Sequence, residues 1–173
     1  TIIMKVLIVC NNVYMRGNGV SSAVTSLRSR LIGEGIDVRL LACENPEEGG
    51  MQPDYPLPHF VFPIFEPIIK ANGYRYPKLP KRVIREAVGW ADVVHLMEGF
   101  PLQATTVKMA KELNKPCVGT YHIFTENITA NLGLSDGTII NKLVNIWWRS
   151  SVYNHCANVK CTTETVKRHL EEN

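Results

Sequence analysis

The chain has 173 residues, 45% of them hydrophobic and 20% charged, which suits one globular domain with a substantial core. Its formal net charge of +3 is too small to point to nucleic acid as a partner. No apolar run approaches the roughly 20 residues of a membrane span. The opening TIIMKVLIVC is too short and wrongly flanked for a secretory signal, so a cytoplasmic protein is expected.

KVLIVC, from Lys5 to Cys10, is a short β-branched apolar run that predicts a strand buried on both faces. The stretch YMRGNGVSS then hands over to a helix: Val20, Ala23, Val24, Leu27 and Leu31 recur at helical spacing, and Gly33 and Gly35 stop the pattern. DVRLLA (Asp37 to Ala42) reads as a second strand. FVF (Phe60 to Phe62) reads as a short third one, ahead of a proline-bearing excursion through Pro80. DVVHL (Asp92 to Leu96) and PCVGTY (Pro116 to Tyr121) are further strands, bridged by a helix from about Leu102 to Leu113. A long helix around Ile139 to His155, with Trp147 and Trp148 as packing residues, and a strand NVKCT (Asn158 to Thr162) complete the series. Such alternation predicts an α/β domain spanning the chain, a parallel sheet with helices on both faces. The cysteines, Cys10, Cys43, Cys117, Cys156 and Cys161, are odd in number and form no C-x-x-C pair, which predicts reduced thiols.

Sheets of this kind bind ligands beyond the carboxyl ends of their strands. That rule selects the loop after Cys10, the segment after His95 and the segment after His122. A dinucleotide fingerprint needs its glycines tight against the strand, but Gly17 and Gly19 come seven and nine residues after Cys10, and Ser22 stands at the third position. No Gly-Lys-Ser/Thr loop is present. What remains is a glycine-bearing loop opening a helix, with Ser21 or Ser22 as cap. It is suited to a phosphate or carboxylate, or is simply a turn. His95 and His122 are each placed to meet a ligand hydroxyl or phosphate, to act as acid or base, or to be satisfied in the core. Their spacing fits no zinc site. Glu98, beside Gly99 in MEGF, is either an acceptor-binding carboxylate or a solvated loop acid.

Between Phe60 and Trp90, Ile64, Phe65, Ile68, Ile69, Tyr74 and Tyr76 are interleaved with Lys70, Arg75, Lys78, Lys81, Arg82 and Arg85, against two acids, Glu66 and Glu86. This pattern suits an anionic membrane surface better than single-stranded nucleic acid. Ordinary surface charge on an excursion packed against the core is the other reading.

Three runs together, MKVLIVCNNVYMRGNGVSSAVTSLRSRLIGEGIDVRLLA, ADVVHLMEGFPLQATTVKMAKELNKPCVGTYH and VYNHCANVKCTTETVKRHL, resemble the N-terminal domain of glycosyltransferase family 4 enzymes of the GT-B fold. The resemblance implies a Rossmann-like half of that fold and a retaining, metal-independent transfer from a nucleotide-sugar donor, with no cofactor. The acceptor, a sugar or a lipid, would be bound mainly by this half, with His95, Glu98 and Gly99 as candidates. It places Gly17, Asn18, Gly19 and Val20 near the donor phosphates and His122, as the catalytic residue, near the transferred sugar. The family often shows two adjacent glycines where this chain has Gly17-Asn18-Gly19. The sequence ends in KRHLEEN, about where a linker to a second, nucleotide-binding α/β domain would begin, so a fragment of a two-domain enzyme is expected. A stand-alone nucleotide- or phosphate-binding module is the alternative.

Overall fold

The computed structural model describes residues 2–15, 17–122 and 138–172. In chain order the elements are β1 (Lys5–Val9), α1 (Gly19–Gly33), β2 (Asp37–Cys43), β3 (Tyr55–Leu57), β4 (His59–Phe60), α2 (Glu66–Ala71), β5 (Tyr76–Pro77), α3 (Lys81–Trp90), β6 (Val93–Leu96), α4 (Pro101–Glu112), β7 (Cys117–Tyr121), α5 (Thr138–Ser151), a 3-10 turn (Tyr153–His155), β8 (Asn158–Cys161) and α6 (Glu164–Glu172).

Six strands form one parallel sheet in the order β3-β2-β1-β6-β7-β8. The central position of β1 explains its uninterrupted apolar run, since both of its faces are covered. Leu7 and Val9 join Leu41, Val94 and Leu96 against Ile84 and Val88 of α3, Leu102 and Val107 of α4, and Trp148 of α5. Ile8 and Cys10 face the other way, with Leu40 and Ala42, against Val20 and Val24 of α1. Helices therefore cover both faces, as the alternation predicts.

The expected third strand is displaced. The sheet takes Tyr55–Leu57, paired Leu41↔Tyr55 through Cys43↔Leu57. Pro56 has no N–H to donate, which an edge strand tolerates and an inner one does not. Phe60 instead pairs with Tyr76 in a two-stranded antiparallel ribbon of β4 and β5. The excursion also folds more than its prolines suggest. Its helix α3 buries Ile84, Ala87 and Val88, spaced i, i+3 and i+4. The long helix expected to reach His155 stops at Ser151, and Tyr153–His155 form a separate 3-10 turn. Trp148 is buried and Trp147 exposed. All five cysteines are free thiols. Among the described residues no helix is long and apolar enough to cross a membrane.

Candidate functional site

Because β1, β6 and β7 are parallel neighbours, the segments that follow them emerge side by side at one edge of the sheet. Two of these segments are bonded directly. The Asn11 N–H donates to Glu98 Oε2 at 2.6 Å, and Gln103 Nε2 of α4 donates to the same oxygen at 3.3 Å. Glu98 is buried, and burial pushes its carboxyl up to about 7 against the opposing pull of those two hydrogen bonds. Asn11 is fully buried too, yet among the described residues neither Nδ2 nor Oδ1 has a hydrogen-bond partner, and Gln103 Oε1 also lacks one.

The glycine loop is capped by a different residue from the one expected. Asn18, not Ser21 or Ser22, is the N-cap of α1, its Oδ1 accepting from the N–H groups of Val20 at 2.9 Å and Ser21 at 3.2 Å. A cap needs extended backbone, which Asn18 has, whereas both serines already lie inside the helix. Ser21 Oγ instead accepts from the Met15 N–H. The Asn18 side chain also donates, through Nδ2, to the Gly73 carbonyl at 2.9 Å. Asn12 spans the same gap: its Nδ2 lies 3.5 Å from the Gly73 oxygen and its Oδ1 accepts from the Arg75 N–H at 3.3 Å. Gly17 has φ +78°, in the left-handed region that favours glycine. A Cβ at Gly17 or Gly19 would meet no heavy atom of the described residues within 4 Å, so this backbone is open toward them. Val20 turns its side chain into the core under α1, and the cap takes its N–H.

His95 sits within β6, opposite Ile8 on the α1 side of the sheet, with Nε2 2.8 Å from Thr120 Oγ1. Burial, then His122 and Lys160, bring it down to about 4, so the ring is neutral. His122 follows β7, its pKa lowered by burial and by Lys160, and its buried Nε2 has no hydrogen-bond partner among the described residues. The structure thus gathers His95 and His122 on one side, and Glu98 with Asn11 and Gln103 at the ends of β1 and β6. Gly99 has a packing role: a Cβ there would lie 2.8 Å from the Trp148 ring.

The basic excursion divides. Val61, Ile64, Phe65 and Ile68 are exposed, as are Lys70, Lys78, Lys81 and Arg82. Tyr74 and Tyr76 turn inward, their rings 6.1 and 5.3 Å from that of Phe100. Arg75 is half-buried, and Arg85 pairs with Glu112 at 3.0 Å. Glu66 is buried against His59, Oε1 to Nε2 at 2.9 Å, with Lys70 at 4.0 Å. Among the described residues no three His, Cys, Asp or Glu are grouped to hold a metal ion.

Asn11, Asn12 and Gln103 escaped the sequence reading. Two consecutive asparagines directly after an apolar strand were the one available signal. Nothing distinguished Gln103 from a solvated helix residue.

The fold recurs in the UDP-GlcNAc 2-epimerase from Methanocaldococcus jannaschii, with a TM-score of 0.52 and 12% identity over 98% of this chain and 42% of that one. At that identity the likeness concerns the fold alone, and this chain spans less than half the length of that protein. No curated protein matches the sequence. The family model of Glycosyltransferase Family 4 matches residues 17–173, a span that starts at the glycine loop and takes in β6, β7 and everything after them. With its Rossmann-like sheet, half of a GT-B fold, the chain belongs to glycosyltransferase family 4.

Proposed function

We propose that this chain is the acceptor-side half of a retaining glycosyltransferase, moving a sugar from a nucleotide-sugar donor to an acceptor without a metal. The observation that supports the reading is that the segment after β1, with its open Gly17–Gly19 backbone, and the segment after β7, which begins at His122 with its unpartnered Nε2, leave the sheet at the same edge. Asn18 already takes the Val20 and Ser21 N–H groups, but the open Gly17–Gly19 backbone ahead of them leaves room for a phosphate to approach closely, and the dipole of α1 favours its charge. The neutral His122 ring offers a hydrogen bond to a hydroxyl of the transferred sugar. Glu98 and Gly99, beyond β6, and His95, within it and 2.8 Å from Thr120 Oγ1, are the residues assigned to the acceptor. One wall does not exclude water from a charged leaving group, so a second α/β unit would supply the nucleotide pocket.

The exposed apolar residues of α2 and its approach, beside Lys78, Lys81 and Arg82, suit adsorption to an anionic membrane. A cytoplasmic enzyme working at that surface, on a lipid acceptor, is the form of the proposal that uses both features.

The test is transfer by the whole protein from a panel of nucleotide sugars to sugar and lipid acceptors, with the product's anomeric configuration read by NMR. Retention and insensitivity to EDTA are expected. An inverted product, or no transfer from any donor, overturns the proposal.

A further inference from the structure

Tyr14, in the loop between β1 and α1, has φ +64°, in the left-handed region. An asparagine visits that region at small cost, as Asn114 does beyond α4 with φ +52°, but a tyrosine there is strained and persists only where its surroundings hold it. Two contacts do so. The ring packs against the core cluster that contains Val13, Val20 and Val24. Its hydroxyl accepts a hydrogen bond from Nη1 of Arg28, in the middle of α1, at 2.8 Å.

Arg28 is itself detained. Its Nη2 lies 3.5 Å from Asp54 Oδ2, an oxygen that also accepts from the Leu40 N–H of β2 at 2.8 Å. Its Nε is buried and has no hydrogen-bond partner among the described residues. An arginine placed by solvation alone turns that nitrogen to water, so the two terminal contacts decide where this one lies. A strut therefore runs from β2 through Asp54 and Arg28 to the Tyr14 hydroxyl. The rest of the loop follows from its far end: the Met15 N–H donates to Ser21 Oγ at 3.3 Å, and Gly17, at φ +78°, makes a second left-handed turn before Asn18 caps α1. A Tyr14 that relaxed to ordinary backbone would redirect everything after it, and Met15 would lose its place against Ser21.

We propose that Arg28 is a positioning residue for the sugar transfer: by holding the Tyr14 hydroxyl it keeps the turn that presents the open Gly17–Gly19 backbone to the donor phosphates. The inference rests on the glycosyltransferase reading and adds a residue that acts through another. The loop meets the phosphates before and during transfer alike. Loosening it lowers the fraction of molecules competent to bind donor and leaves the turnover of the bound complex as it was.

The test compares wild type, Tyr14→Phe, Arg28→Met and the double variant, each as the whole protein. Tyr14→Phe keeps the ring on the core and removes only the hydroxyl. Two quantities are read: hydrogen exchange of the Met15 amide by NMR, and KM and kcat for the nucleotide sugar that the wild type uses best. Each single variant should speed the exchange and raise the donor KM by at least about tenfold, the worth of one hydrogen bond to a charged group, with kcat changed by less than about twofold. The double variant should match the singles rather than multiply them, because both remove the same bond. A role in the fold alone would lower the melting temperature and leave the donor KM as it is well below the melt. Unchanged Met15 exchange in both variants, faster exchange with an unchanged donor KM, or KM effects that multiply in the double variant overturn the proposal. Faster exchange in the variants of a protein that transfers from no donor refutes the glycosyltransferase reading and leaves the strut between Arg28 and Tyr14 standing.

Discussion

Glu98 offers a test of the site that needs no substrate. Burial raises its carboxyl from an ordinary 4.5 to about 7, so the folded protein holds a proton that the unfolded chain has released between those two values. Stability contributed by this group is therefore full below pH 4.5, falls as the pH rises and levels off above about 7. At about 1.4 kcal/mol for each tenfold change in proton affinity, the loss is about 3 kcal/mol. His95 works in the opposite direction. Lowered from 6.5 to about 4, it contributes stability present above pH 6.5 and lost as the pH falls toward 4, again about 3 kcal/mol. The two slopes nearly cancel in the wild-type protein, so its pH profile alone is uninformative. Glu98→Gln separates them, because glutamine copies the shape of the protonated acid and keeps an oxygen for the Asn11 N–H. Urea unfolding followed by tryptophan fluorescence, from pH 4.5 to 8, should show the variant equal to wild type at the acid end and about 3 kcal/mol more stable above pH 7. A variant less stable by the same amount at every pH would mean that Glu98 is a carboxylate held ionised by Asn11 and Gln103, and the reasoning would fail.

Three further outcomes follow from the geometry. His122→Ala should lower transfer by the whole enzyme by about tenfold or more with little change in melting temperature, and unchanged kinetics would remove it from the site. Gly99→Ala should destabilise by about 1–3 kcal/mol in urea melts, because the new methyl meets the buried Trp148 ring rather than a flexible chain end. The protein should cosediment with anionic vesicles and not neutral ones, be released near 0.5 M salt by screening, and lose adsorption when Lys78, Lys81 and Arg82 are reversed in charge; wild type left in the supernatant at low salt refutes the membrane face.

The sheet was legible because β1, β6 and β7 are inner strands, and burial on both faces writes itself as unbroken apolar runs such as KVLIV. At the edge that rule lapses. Tyr55–Leu57 is three residues with a proline at its centre, and Phe60–Phe62 looks more like a strand than the strand itself. Helix α3 carries its apolar stripe in plain view, but the lysines and arginines around it drew the eye to charge. Among the candidate residues, Gly17, Gly19 and His122 could be picked out because the segments that follow strand ends are predictable. Asn11 and Gln103 were not, since a polar residue gives no sign in sequence that its surroundings will close over it. The cap followed the same logic: Asn18 and Ser21 are equally good capping chemistry, and the backbone alone decided between them.

Asn18 grips two things at once, the first amides of α1 with its oxygen and the Gly73 carbonyl, 55 residues away, with its nitrogen. Asn12 reinforces the tie from the strand side. The glycine loop and the turn that follows α2 are therefore tied together through two asparagine amides. Any tilt of the excursion pulls on the same group that keeps the helix entrance formed. Work done at one end is felt at the other, and reciprocity requires that whatever settles onto the loop also favours one posture of the excursion.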